Sequence, residues 1–150
     1  MAELIRTDSS DTDFQGLVKL LDADLRIRDG EDHAFYAQFN KIDTLKHALV
    51  AYVNNMPVGC GAFKPFTETS VEIKRMFVHP DYRGQGIAQA VLTALEKWAS
   101  ELGHKNCVLE TGQKQPEAIQ LYLKSGYLRI PNYGQYANVE NSVCMQKSLS

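Results

Sequence analysis

Hydrophobic positions along this chain switch repeatedly between a period near 3.6 and a period of two, so helices and strands are expected to alternate. Residues 3–7 alternate and predict a first strand. From Thr12 the apolar residues Phe14, Leu17, Val18, Leu21 and Leu25 fall three or four apart, one face of a helix, after a polar, cap-rich stretch over 8–11. That pattern breaks at Gly30, and 33–39 predicts a second, shorter helix. Residues 48–53 and 58–63 predict an antiparallel pair joined at Asn54-Asn55, and a third strand runs over 71–78. Gly59 and Gly61 predict a gap where a ligand or another backbone comes close. A long helix follows, with Ile87, Val91, Leu92, Leu95, Trp98, Ala99 and Leu102 on one side and Gly103 at its end. The remaining pattern predicts a buried strand over 106–111 and a helix over 117–125, with Pro116 at its first turn and Gly126 at its stop. A strand over 127–130, a loop rich in Tyr, Asn and Gly over 131–140 and a last strand over 142–146 complete the series.

Composition narrows the class. A chain of 150 residues with 44% hydrophobic content can bury one proper core, so 1–150 is expected to be a single domain. Sixteen basic and 18 acidic residues leave a net charge of −2 and no basic field for nucleic acid or an anionic membrane. No apolar run reaches the roughly 18 residues of a membrane span, and the N-terminus lacks a signal-peptide profile, so a cytoplasmic location is expected. Cys60, Cys107 and Cys144 are dispersed in apolar strand contexts, which predicts buried thiols and not a disulfide framework. Histidines 33, 47, 79 and 104 show no paired ligand spacing, so no metal is expected. Asp22, Asp24, Asp29, Glu31 and Asp32 crowd one region, either as a solvated face or as a field that attracts a cationic amine.

Chemistry concentrates in 71–102, where strand, glycine turn and helix follow without a gap. Helix-start N–H groups lack internal partners, the helix dipole adds partial positive charge, and two glycines let a phosphate approach the backbone. A P-loop fails here because no Lys-Ser or Lys-Thr follows Gly86. A dinucleotide fingerprint fails because Gln89 stands where a third Gly or Ala is needed. Arg83-Gly84-Gln85-Gly86-Ile87-Ala88 instead resembles the acyl-CoA pyrophosphate loop of the GNAT N-acetyltransferase superfamily. A second segment, Ala118 to Tyr127 with Leu121, Tyr122 and Gly126 at fixed offsets, is similar to the family's A-x-x-L-Y-x-x-x-G-[FY] helix. The order of elements follows the family topology along essentially the whole chain.

That resemblance implies an α/β (α+β) fold, a mixed, mostly antiparallel sheet of six or seven strands flanked by about four helices. It implies acetyl-CoA as co-substrate, bound by backbone amides of Arg83, Gly84, Gln85, Gly86, Ile87 and Ala88 and, along the pantetheine arm, by backbone groups of Met76, Phe77 and Val78. Arg83 is expected to add charge near the phosphates or to pair with Asp81, and Lys124 to reach the adenosine phosphate or to stay a solvated helix lysine. Where the family often has an Asn for the pantetheine, this chain has Gln113 and Gln115 nearby. Some members carry a catalytic glutamate at the position of Glu72, others use water chains; strand alternation places Glu72 and Val78, six residues apart, on one face. Tyr122 is implied as the residue facing the departing thiol. Tyr133 and Tyr136, with Tyr36 from the N-terminal helical region, form a candidate substrate wall.

Direct acetyl transfer to a primary amine of a small molecule or amino-acid-like metabolite is the implied reaction, with a peptide or protein amine as a variant and a homodimer as a further expectation. A non-catalytic acyl-CoA sensor is the alternative of another class; coenzyme A binding without turnover would mark it.

Overall fold

Asp11 opens the first helix by accepting a hydrogen bond from the Phe14 backbone N–H at 2.9 Å, an N-cap that satisfies one orphan donor of the first turn. The computed structural model describes residues 2–29 and 44–149; the helix expected over 33–39, and with it Tyr36, lies outside the described residues. Strands β1 (Glu3–Thr7), β2 (His47–Val53), β3 (Met56–Pro65), β4 (Ser70–Val78), β5 (Asn106–Gly112), β6 (Leu128–Ile130) and β7 (Ser142–Ser148) are joined by helices α1 (Thr12–Asp29), α2 (Ile87–Glu101) and α3 (Pro116–Lys124). They form one seven-stranded sheet in the order β1-β2-β3-β4-β5-β7-β6. Every pairing is antiparallel except β4 with β5.

Each face of the sheet buries its own cluster. Phe14, Leu17, Val18 and Leu21 of α1 pack on Ala48, Val50, Cys60, Ala62 and Phe77. On the opposite face Ile87, Val91, Leu92 and Leu95 of α2 pack on Leu49, Phe63, Val71, Ile73 and Val78. The two glycines of β3 serve this second face. A Cβ at Gly61 would stand 2.6 Å from Met76 Sδ and 2.8 Å from Leu95 Cδ1, and one at Gly59 would stand 3.1 Å from Ile87 Cγ2. The gap expected there is thus filled by side chains of α2 and β4, and glycine lets the helix seat closely on the sheet. Asn54 and Asn55 make the β2–β3 turn with φ of 51° and 66°, the left-handed pair that a two-residue hairpin requires.

Two irregularities make room for a site. Between the partners Cys60↔Phe77 and Ala62↔Lys74, β3 advances two residues and β4 three, so β4 carries a bulge, with Arg75 at φ 61°. The extra residue reverses the alternation. Glu72 and Lys74 fall on the α1 face opposite Lys64 and Ala62, as does Phe77, while Val78 turns to the α2 face. The expectation that Glu72 and Val78 share a face is therefore corrected: six residues of strand would keep them together, but six residues with a bulge separate them. Secondly, β4 pairs with β5 only over Ser70↔Asn106, Val71↔Cys107 and Glu72↔Val108. Beyond Glu72 the parallel pairing ends, β5 continues alone against β7, and the two strands open a cleft in mid-sheet.

Candidate active site

One side of the cleft is built from backbone. His79 Nδ1 accepts from the Asp81 N–H at 3.1 Å, which caps the short 3-10 turn Pro80–Tyr82 that leaves β4. Arg83 then folds back: its Nε donates to the Val78 carbonyl at 2.9 Å and its guanidinium lies 5.6 Å from the centre of the Phe77 ring. Among the described residues Arg83 makes no ion pair with Asp81; its Nε ties the loop to the end of β4 while its side chain lines the groove described below. Gly84 and Gly86 adopt φ of 78° and 80°, a region that glycine enters without Cβ strain. Gly86 is the N-cap of α2, with no side-chain cap, and the first turn carries no acidic residue. Its positive end is therefore uncompensated within its own first turn, and the N–H groups of Ile87, Ala88 and Gln89 have no partner within the helix. Nothing lies within 4 Å of a Cβ built at Gly84 or Gly86, so the loop faces open space. Uncapped helix start, positive φ and open approach together fit a pyrophosphate.

This loop, the end of β4 and α3 enclose a groove of about 560 Å³. That is the range of small-ligand sites, roughly 300–1,000 Å³. Met76, Phe77, Val78, Arg83, Gly84, Gly86, Ile87 and Ala88 line one wall; Gln115, Ala118, Leu121, Tyr122 and Lys124 line the other. Of the residues expected here, Gln85 and Gln113 are absent from the walls, and Gln85 is exposed. Gln113 points elsewhere, its Nε2 donating to the Glu140 carbonyl at 2.7 Å. Gln115 is left as the amide beside the groove, at the N-cap of α3.

The other side is built from side chains and lies on the α1 face. A smaller cavity, about 100 Å³, is lined by Glu72, Lys74, Arg75 and Met76 of β4, Glu110 and Thr111 of β5, Leu21 and Leu25 of α1, and Gln115, Ala118 and Tyr122. Glu72 is buried and held from both ends. Tyr133 donates to its Oε2 at 2.7 Å, and Lys74 and Lys64 stand 3.9 and 4.0 Å from its Oε1. Burial, and after it the charge of Glu72, keep the Tyr133 phenol protonated far above its ordinary range, as its donor role requires. Tyr133 in turn leans on Phe66 at 4.8 Å and meets Tyr136 edge-on at 6.0 Å. Tyr136 itself is 1% exposed, clustered with Cys144, Ile130 and Val139 and outside the cavity lining. It supports the wall from behind, where the sequence reading had it facing substrate. Arg75 gives Nη1 to Asp22 at 2.8 Å, so one of the crowded aspartates is spent on the bulge.

Tyr122 joins the two spaces. It lines both, is 6% exposed, and packs edge-to-face with Tyr127 at 5.8 Å. Burial, with the charge of Glu110 behind it, pushes its phenol above the ordinary tyrosine range, so the hydroxyl is a donor at neutral pH. Glu110 and Lys74 are the cavity residues the sequence reading missed. Their signal was present: Glu110 interrupts a strand otherwise read as buried, two residues past Val108, the register partner of Glu72. Among the described residues no cluster of His, Cys, Asp and Glu has the make-up of a metal site, and no helix is long and apolar enough to cross a membrane. Cys60, Cys107 and Cys144 are free and buried, as their spacing predicted.

Comparison with known proteins agrees with this geometry. The family model described as Acetyltransferase (GNAT) family matches residues 14–127. The chain is 39% identical over 102 residues to the IAA acetyltransferase of Azospirillum brasilense, spanning 67% of each protein. Among solved structures, a Klebsiella pneumoniae protein assigned to the acyl-CoA N-acyltransferases superposes with a TM-score of 0.84 at 29% identity, over 100% of this chain and 99% of that one. The PaiA N-acetyltransferase of Thermoplasma acidophilum, solved in complex with coenzyme A, shares the fold at a TM-score of 0.73 and 16% identity, over 99% of each chain. With the family matched across both the glycine loop and the Tyr122 helix, the chain belongs to the GNAT family of acetyl-CoA-dependent acetyltransferases.

Proposed function

We propose that this enzyme moves the acetyl group of acetyl-CoA directly to a primary amine of a small, amino-acid-like molecule. The observation that carries the reading is the meeting of a phosphate-adapted groove with a charged cavity along a shared wall of Leu21, Met76, Gln115, Ala118 and Tyr122, of which Tyr122 alone carries a titratable side chain. The groove takes the pyrophosphate at the α2 N-terminus and the pantetheine arm beside Met76, Phe77 and Val78, whose edge β5 leaves unpaired. Lys124, exposed on the far wall, takes the adenosine phosphate end. The thioester supplies an electrophilic carbonyl where groove and cavity join. There the amine nitrogen bonds to the carbonyl carbon as the carbon–sulfur bond breaks.

An amine attacks only after losing its proton, so the acceptor side needs an anion that holds the ammonium and takes that proton, directly or through water. Glu72 has this role, with Glu110 as a second carboxylate on the same cavity. The departing sulfur needs a donor. A phenol raised above 10 does not hand its proton fully to a thiolate whose own pKa is near 8.5. Tyr122 therefore stabilises the sulfur by donating a hydrogen bond to it. The cavity's small volume favours a small acceptor over a peptide.

A thiol-release assay with acetyl-CoA against amino acids, polyamines, aminoglycosides and N-terminal peptides, read beside a thermal shift with coenzyme A alone, tests the reading. Turnover on a small amine supports it. Turnover confined to peptides moves the acceptor assignment, a coenzyme A shift with no turnover on any amine replaces the enzyme with a sensor, and no shift removes the groove assignment.

A further inference from the structure

Lys74 is a cavity residue to which the reaction above gives no task. Its side chain is 13% exposed, and its ammonium carries three N–H donors. Among the described residues it donates no hydrogen bond. The nearest opposite charge, Glu72 Oε1, stands 3.9 Å away, beyond hydrogen-bond reach. Glu72 does not need it: Tyr133 occupies Oε2, and Lys64 stands as close to Oε1 as Lys74 does. An ammonium held this way is costly, and burial pushes its pKa down despite the opposing fields of Glu72 and Glu110.

The charges around it point to what completes it. Glu72, Lys64, Glu110 and Arg75 act on Lys74, and Arg75 is already matched by Asp22. Lys64 is 41% exposed and lies outside the cavity lining, so Lys74 is the ammonium that an incoming ligand meets there. An acceptor that brings its own carboxylate fills the donors of Lys74.

We propose that the acceptor is a free amino acid or a close relative with a carboxylate beside its amine, Lys74 binding the carboxylate while Glu72 holds the amine. The spacing fits this class. Lys74 Nζ and Glu72 Oε1 are 3.9 Å apart, so the two ligand charges must be close neighbours. An α-amino acid sets its nitrogen and carboxylate carbon about 2.5 Å apart across one Cα. A polyamine or aminoglycoside brings no anion, and a peptide N-terminus offers an amide where the carboxylate belongs. The inference rests on the acetyltransferase reading and narrows its acceptor.

The test compares free L-amino acids with their carboxamides, at saturating acetyl-CoA, on the full chain. The carboxamide's amine loses its proton more readily, so chemistry favours the amide and any preference for the acid reads binding. We expect the best amino acid to exceed its own amide about tenfold in kcat/KM, mostly through KM. Lys74→Gln brings that ratio toward one and Lys74→Arg keeps most of it, while a coenzyme A thermal shift in each variant shows that the protein is folded. Amides used as well as acids, or a ratio that survives Lys74→Gln, overturns the proposal and leaves the acetyltransferase standing. Should no acceptor turn over, calorimetric binding of acids and amides to the coenzyme A complex decides it: binding of acids alone supports the proposal, equal binding or none overturns it.

Discussion

The two halves of the cleft are made of different materials. The cofactor side consists of backbone: an uncapped helix start, two glycines at positive φ and a strand edge without a partner, most of it within residues 76–90. The acceptor side consists of side chains that come from α1, β3, β4, β5 and the loop before β7, with 61 positions spanned by the Tyr133–Glu72 hydrogen bond alone. A backbone site tolerates most substitutions but cannot lose its glycines. A side-chain site can be rebuilt one residue at a time. The first suits a donor that stays constant and the second an acceptor that changes, in keeping with one fold hosting many functions.

The sharpest way to break this contrast is at Gly86. Gly86→Glu has room for its side chain in the free protein but sets bulk and negative charge where the pyrophosphate belongs. Like-charge contact costs several kcal/mol, so coenzyme A affinity should fall at least about 100-fold by calorimetry. Gly86→Ala is the control, because it shares the strain of φ 80°, about 1–2 kcal/mol, without the charge. If both variants lose affinity equally, the glycine serves the fold and not the phosphate.

The same contrast explains what could be read from the sequence. Glycines, a His-Pro break and a helix start are local, and the loop from Arg83 to Ala88 stands where its residues implied, as does the Tyr122 helix. The seven strands and their succession along the chain followed from period and turn chemistry; their order within the sheet did not. The bulge at Arg75 did not, because a one-residue slip leaves no mark in an alternating pattern whose partner strand is unknown. With it went the face of Glu72. Glu110 showed only as a charge within a strand read as buried, and Lys74 not at all, since only the β4–β5 register and the turn of β4 bring them to one cavity. Tyr136 misled for the opposite reason: a loop of polar aromatics reads as a wall, and only packing shows which ring faces in.

Tyr122 stands where backbone site and side-chain site meet, so its loss should separate donor binding from turnover. Tyr122→Phe deletes a hydroxyl and keeps the ring against Tyr127. A hydrogen bond to developing negative charge is worth about 1.5–3 kcal/mol, so kcat should drop about 10- to 100-fold. The KM for acetyl-CoA should move less than about threefold if the groove is held mainly by backbone. An equal loss in binding would place the hydroxyl in the donor site, and unchanged turnover would make Tyr122 a packing residue.

Tyr133→Phe asks the smallest question and the one most specific to the acceptor side. It removes the donor on Glu72 Oε2 but keeps the ring that packs on Phe66 and Tyr136. A buried carboxylate that loses one bond, with Lys64 and Lys74 still beside its other oxygen, is held less firmly in position. The expected loss is about 1 kcal/mol of stability, a Tm lower by about 2–4 °C. In kinetics it should appear as a fall of about three- to tenfold in kcat/KM for the acceptor, with coenzyme A affinity untouched. If the ring alone matters, as a wall that excludes water, the variant keeps full acceptor kinetics and loses only stability. Glu72 would then be held well enough by its lysines, and the hydroxyl would belong to the fold.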